Sequence, residues 1–354
     1  MKFAAKSQRP TFLSGNNVDQ RRYRRIMLIL FCIWIAMILA AFCLGRYSVS
    51  VSDVVKILLS QMVPMEKTWD ATTQGVILTL RLPRIVASLL IGGAFVLSGA
   101  AYQGVFKNPL VSPDLLGVSS GASVGAALMI LANNGKIETQ IGAFIGGIIA
   151  VFLATSIPRL LKNEAVMILV LSGIIVSGLM SSIMGIIKYL ADPEDELASI
   201  VYWQMGSLAK AHGSDVLAIM PVILAMCLIL LGIRWRINIL SLGENEAKSL
   251  GMNIALTRGI VIFCATVLTA SSVCISGTIG WIGLVIPHLG RLLVGPDNVK
   301  LLPVSLLLGG SFMLLIDTIA RVSTSAELPL SILTGIIGAP FYFWLLARQR
   351  MKIQ

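Results

Sequence analysis

Few side chains in this sequence are of the types, and at the spacings, that do covalent or metal chemistry. The five cysteines, Cys32, Cys43, Cys227, Cys264 and Cys274, lie inside or at the edges of apolar runs, and no pair has the C-x-x-C spacing of a metal or redox site. They read as small buried apolar side chains. The two histidines, His212 and His288, are too few to build a His-based metal centre. A phosphate-binding G-x-x-x-x-G-K-[ST] loop is missing: the single Gly-Lys pair, Gly135-Lys136, is followed by Ile137. The chain is therefore expected to have no catalytic residue, no metal and no cofactor of its own, and not to bind ATP by such a loop. One acidic residue, Asp317, falls within a long apolar run. Arg321 follows four positions on, one helical turn away, so a local ion pair is the simple account. A proton site of an ion-coupled transporter is the alternative.

Four constellations punctuate the apolar runs. Arg81-Leu82-Pro83-Arg84 opens the second one. Proline suits a first helical turn, and Arg81 and Arg84, three apart, share a face. Two cations at a helix N-terminus oppose the dipole at ~0.3–1 kcal/mol each. They imply an anionic partner, either outside the protein or in a nearby loop, for instance Asp70. Lys107-Asn108-Pro109-Leu110-Val111-Ser112-Pro113-Asp114 reads as a tight turn stiffened by two prolines. Ser241 and Glu244 have capping-box spacing, Glu244 and Lys248 are an i,i+4 pair, and Gly251 suits a left-handed stop. These predict a short, well-capped helix, either a surface element or a rigid contact with a force-transmitting partner. Gly277, Gly280 and Gly283 recur every third residue before Pro287 and His288, permitting close packing or irregular backbone at membrane depth.

The elements that must position these residues follow from composition. The chain has 354 residues, 56% hydrophobic and 13% charged. A soluble domain carries about 25% charge, so too little polar surface remains for a water-facing exterior. The net charge of +11 sits in short clusters between apolar runs, with no basic face of interleaved aromatics, and excludes a nucleic-acid binder. About 20 apolar residues cross a bilayer. Candidate spans are 26–44, 85–106, 115–132, 139–158, 165–187, 216–233, 259–276, 301–320 and 328–347, with a shorter one at 279–293. With both ends cytoplasmic, nearly every short basic loop falls inside, and the acidic patch Asp192, Glu194, Asp195, Glu196 falls outside. Dropping the short span would send the basic tail outside. The expected fold is thus an all-α integral membrane protein of ten helices. Residues 1–25 form a cytoplasmic tail, 26–347 the transmembrane domain and 348–354 a basic cytoplasmic tail. The outer loops 45–84 and 188–215 have room for short surface helices. Gly117, Gly121 and Gly125, with Gly142 and Gly146, have the small-xxx-small spacing of helix packing.

Taken together, these segments resemble one family, the iron-chelate, haem and cobalamin branch of bacterial ABC importer permeases (type II importers, FecCD-like). The resemblance runs through Arg81-Leu82-Pro83-Arg84, Ser98–Gly104, Asn108-Pro109-Leu110, Leu115–Ala122, Tyr202–Leu208, Leu242–Gly251 and Gly280–Arg291. It continues through Leu301-Leu302-Pro303, Asp317–Arg321, Ala326-Glu327-Leu328-Pro329 and Gly338-Ala339-Pro340-Phe341. It covers about residues 81 to 347.

The resemblance implies a multi-pass permease of the bacterial inner (plasma) membrane, working as a homodimer on two ATPase subunits that bind ATP and magnesium. A periplasmic or lipid-anchored binding protein would deliver the cargo. Arg81, Arg84 and Arg321 match the family's binding-protein docking positions, although pairing of Arg321 with Asp317 or Glu327 is a rival. Glu244, Ala247, Leu250 and Gly251 match the ATPase-contacting coupling helix, and Asn108 and Leu110 a cytoplasmic gate. No second gate is assigned at 164–168, where the hydroxyl residues of some relatives are missing. The expected cargo is a ferric siderophore or other iron complex, with haem and cobalamin as alternatives. An ion-coupled secondary transporter is the competing function; it needs intramembrane carboxylates and often inverted repeats.

Overall fold

Each apolar run folds as a helix in the computed structural model, which describes residues 12–163, 165–324 and 326–350. Residues 1–11 of the expected N-terminal tail, residue 164 of the unassigned gate segment and residues 351–354 of the basic tail lie outside the described residues, as does 325. The chain enters through α1 (Phe12–Cys43) and continues through α2 (Val51–Ser60), α3 (Ala71–Gly75), α4 (Leu82–Phe106), α5 (Val118–Leu131), α6 (Lys136–Leu160) and α7 (Val166–Leu190). There follow α8 (Glu196–Met205), α9 (Gly213–Gly232), α10 (Arg234–Leu242), α11 (Glu244–Ser249) and α12 (Ile254–Ser276). It ends with α13 (Ile282–Val294), α14 (Asn298–Ser323) and α15 (Leu330–Arg350).

Seven described helical stretches are long and apolar enough to cross a membrane, and the shorter apolar helices at Val118–Leu131, Ile282–Val294 and Leu330–Trp344 complete the ten expected positions. The outer loops do hold short helices, α2, α3 and α8. Residues 12–25, expected as tail, begin α1, and 348–350 extend α15.

Helix α4 is the axis of the bundle and packs on α9, α12, α13 and α14. Of an 18-residue apolar stretch of the span that contains it, 83% is buried within the chain, against 11% for the span of α1 and 22% for that of α9. Small residues make this possible. A Cβ on Gly99 would lie 1.9 Å from the Gly283 carbonyl oxygen, so only glycine lets α13 approach there. The expected small-residue seam joins α5 to α6. A Cβ on Gly121 would meet the Gly146 oxygen at 2.3 Å, and one on Gly125 the Gly142 oxygen at 2.0 Å. Gly117 is not part of that seam. It is left-handed (φ 81°) and turns the short 3-10 segment Pro113–Leu116 into α5. The string Gly121-Ala122-Ser123-Val124-Gly125 spells a nucleophile elbow, but it lies inside α5 rather than at a strand-to-helix turn, and Ser123 is buried there.

The second span starts earlier than expected. Helix begins at Ala71, capped by Asp70, whose side chain accepts from Thr73 N at 3.3 Å. The Thr73 side chain, with this backbone bond a smaller contribution, holds the Asp70 carboxyl below its usual pKa. The helix then widens into a π-helical turn at Val76–Arg81, where Leu82 N–H reaches back five residues to the Ile77 oxygen. Pro83 explains the widening. It has no N–H to donate, and its ring clashes with the carbonyl one α-turn back; a π-turn relieves both.

Candidate functional site

Three arginines and two carboxylates meet at the outer ends of α4 and α14. Arg84 Nε lies 2.8 and 3.0 Å from the two oxygens of Asp317, and its terminal nitrogens reach Glu327 at 3.1 and 2.9 Å. Arg321 Nε is 3.4 Å from Asp317, the i,i+4 pair expected from spacing. Asp317 is wholly buried, and Arg84 and Arg321 are 7% and 8% exposed. Glu327 reaches Arg84 from the loop before α15, with a left-handed backbone (φ 52°).

The helix-dipole expectation is corrected here. Arg81 and Arg84 stand well inside a continuous helical run from Ala71, not at its N-terminus. Arg81 and Arg321 serve a helix C-terminus instead, that of α1. The last four carbonyls of a helix lack internal partners, and all four of these are met. Leu44 N–H serves Ala40, Arg321 serves Ala41, Arg81 serves Phe42 and Val49 N–H serves Cys43. Arg81 also donates to the Tyr47 carbonyl. Cations are favoured at that end of the dipole. Arg81 is 5% exposed, so its partners are internal ones; Asp70 caps α3 instead.

At the inner end, α11 lies between α10 and α12. It is short and lacks the expected capping box, because the Ser241 hydroxyl donates back to Asn238 O at 2.6 Å within α10 and Gly243 takes the cap position. Glu244 does not pair with Lys248. It reaches Arg258 on α12 at 2.6 Å. Gly251 is left-handed (φ 72°), as its stop role requires. Ala247 is fully buried and anchors the helix from behind, so it cannot itself touch a partner. Leu242 and Leu250 are 69% and 64% exposed.

Between α4 and α5, Lys107 closes α4 in a left-handed conformation and the Asn108 side chain accepts from Leu110 N at 2.9 Å, so Asn108 is a turn-former. Leu110 is exposed. Gln103 donates to Val111 O (3.0 Å) and Leu284 O (3.3 Å) and accepts from Arg291, which fixes this turn to α13. Gln103, Arg258 and Arg291 were not singled out as site residues, since their pairings join positions far apart in sequence. No group of three or more possible metal ligands occurs among the described residues.

A helical bundle around one buried span, with ionic clamps outside and a short helix inside, defines a multi-pass transport protein. Residues 29–348 match the FecCD transport family, and the chain belongs to that family, whose members are ABC permeases of the inner membrane. A molybdate import system permease of Haemophilus influenzae, MolB, is 42% identical over 84% of this chain and 88% of its own length. A probable iron chelatin transport system permease of Helicobacter pylori is 44% identical over 78% of this chain and 83% of its own. A solved structure described as an inward-facing metal-chelate type ABC transporter superposes with TM-score 0.83 at 38% identity, covering 92% of this chain and 99% of that one. Membership implies an ATPase subunit and a substrate-binding protein as partners.

Proposed function

We propose that this chain is the permease of an ATP-driven metal-chelate importer and that α11 carries force from the ATPase. The observation that supports this reading is α11 itself. Leu242, the last residue of α10, and Leu250, which closes α11, stand exposed on either side of α11, and Glu244 ties α11 to Arg258 of α12. Exposed apolar side chains outside the membrane mark a docking surface. In this reading Glu244 and Gly251 shape the coupling helix, Leu250 makes the contact and Ala247 supports it. Two copies form a homodimer on two ATPases, with Leu110 of each lining a gate at the two-fold axis and Asn108 setting its turn. ATP-driven closure moves the pair between inward- and outward-open states.

Binding-protein docking at Arg84 and Arg321 is the companion proposal. Arg84 and Arg321 face the two carboxylates, and Arg81, bonded only to backbone carbonyls, leaves the outer region with one positive charge in excess. A carboxylate on a docking protein would balance it. Arg81 supplies that excess charge while holding α1 in place.

The proposed cargo is a ferric siderophore or other iron complex, with haem and cobalamin as alternatives. The molybdate relative favours a second reading, an oxyanion. The test is reconstitution of the chain with its ATPase and binding protein in liposomes, measuring uptake of labelled ferric siderophore, haem, cobalamin and molybdate. ATP-dependent uptake that is lost in Leu242→Ser/Leu250→Ser supports the coupling assignment. Uptake that needs no ATPase and follows a proton gradient overturns it in favour of an ion-coupled transporter.

A further inference from the structure

A cavity of about 390 Å³ opens between the cytoplasmic ends of α6, α7 and α12, and no part of the proposed transport cycle uses it. Its walls are apolar: Phe152, Leu169, Ile262 and Phe263 line it, and the two phenylalanines are 63% and 59% exposed. Its cytoplasmic end is basic. Arg159 lies in the last turn of α6 and Arg258 in the second turn of α12, and both line the same cavity. Gly259 forms part of the lining, and a Cβ built on it would meet nothing within 4 Å, so the space beside α12 is open.

Apolar walls with two guanidiniums at one end fit an amphiphile with an apolar tail and an anionic head. That end of the cavity lies at the level of the inner-leaflet headgroups, where basic pockets between helices take anionic lipids. Guanidinium–phosphate pairs can be bidentate and charge-assisted. We infer that this cavity is a site for one anionic phospholipid, its acyl chain between Phe152 and Phe263 and its phosphate on Arg159 and Arg258. Glu244 of α11 contacts the same Arg258, so headgroup and coupling helix share one cation. Lipid occupancy and the position of α11 are therefore linked, and the linkage is reciprocal.

The experiment is native mass spectrometry of the full-length chain in detergent, titrated with phosphatidylglycerol or with phosphatidylcholine of matched acyl chains. The wild type is expected to retain phosphatidylglycerol about fivefold better, the worth of one net basic residue near a membrane surface, since the charge of Arg258 is already offset by Glu244. Arg159→Gln, at an exposed position, removes that preference and leaves phosphatidylcholine retention as it was. Gly259→Leu fills the space and lowers retention of both lipids. Equal retention of the two lipids by the wild type, or unchanged retention in both variants, overturns the assignment. So does efficient Phe152→Cys cross-linking between two copies in the membrane, which would give this face to a second permease chain.

Discussion

The outer and inner ends of this molecule hold charge in opposite ways. Outside, Asp317 is buried between Arg84 and Arg321, and every partner lies within the fold. Inside, one Arg258–Glu244 pair bridges two helices with the carboxylate half exposed. A buried ion pair adds little net stability, yet removing one partner leaves an uncompensated charge and is costly. An exposed pair is weak and screened by salt. The outer cluster is therefore a clamp, which fixes α1, α4 and α14 relative to one another. The inner pair is a looser tether between α11 and α12, as the proposed force-transmitting role of α11 requires.

The contrast breaks most visibly at Asp317. Asp317→Ala should cost ~3–5 kcal/mol by leaving Arg321 with no carboxylate and Arg84 with Glu327 alone, read as lost yield or a lowered melting temperature of the solubilised chain. Changing the pair together, Arg84→Met with Asp317→Leu, should recover much of that loss. A purely steric site gives a smaller effect. Gly125→Ala drives a methyl into the Gly142 carbonyl and should cost ~1–3 kcal/mol by the same melting assay. At the inner end, Glu244→Gln should lower stability by only ~0.2–1 kcal/mol, and that difference should vanish in high salt. Smallest in stability is Leu250→Ala, within ~0.5 kcal/mol as an exposed change. It should nevertheless weaken co-purification of the ATPase. If Asp317→Ala and Glu244→Gln prove equally mild, the distinction between clamp and tether is wrong.

Much of this arrangement was legible in the sequence. The spans followed from runs of apolar residues, and the short helix α13 was recoverable because the basic tail had to stay inside. The Asp317–Arg321 pair was readable because helical periodicity makes it local. Arg84 was not readable as a partner of Asp317, because 233 residues separate them and only packing brings them together. The start of the second span was misplaced because Ala71–Gly75 is polar and a π-turn has no periodic signature. The capping box failed for a local reason: Ser241 belongs to the end of α10, where a nearer carbonyl accepts its hydroxyl. The short helix α11 was legible from its glycine stop and its place in the longest inner loop, while the ionic partner of Glu244, Arg258, was not.

The π-turn before Pro83 also bears on how this chain tolerates changes of length. A π-turn amounts to one extra residue spliced into a helix, which rotates everything upstream by about 100°. That phase shift helps Arg81 address the end of α1 while Arg84 addresses Asp317, although three residues apart on a regular helix would have faced them the same way. Deleting a single residue between Val76 and Leu80 would restore α-helical phase. The deletion would leave α4 and the bundle axis in register but swing α3 and its Asp70 cap around the helix. Elsewhere in a span a one-residue deletion would misphase the whole interface; here the chain carries a built-in splice point.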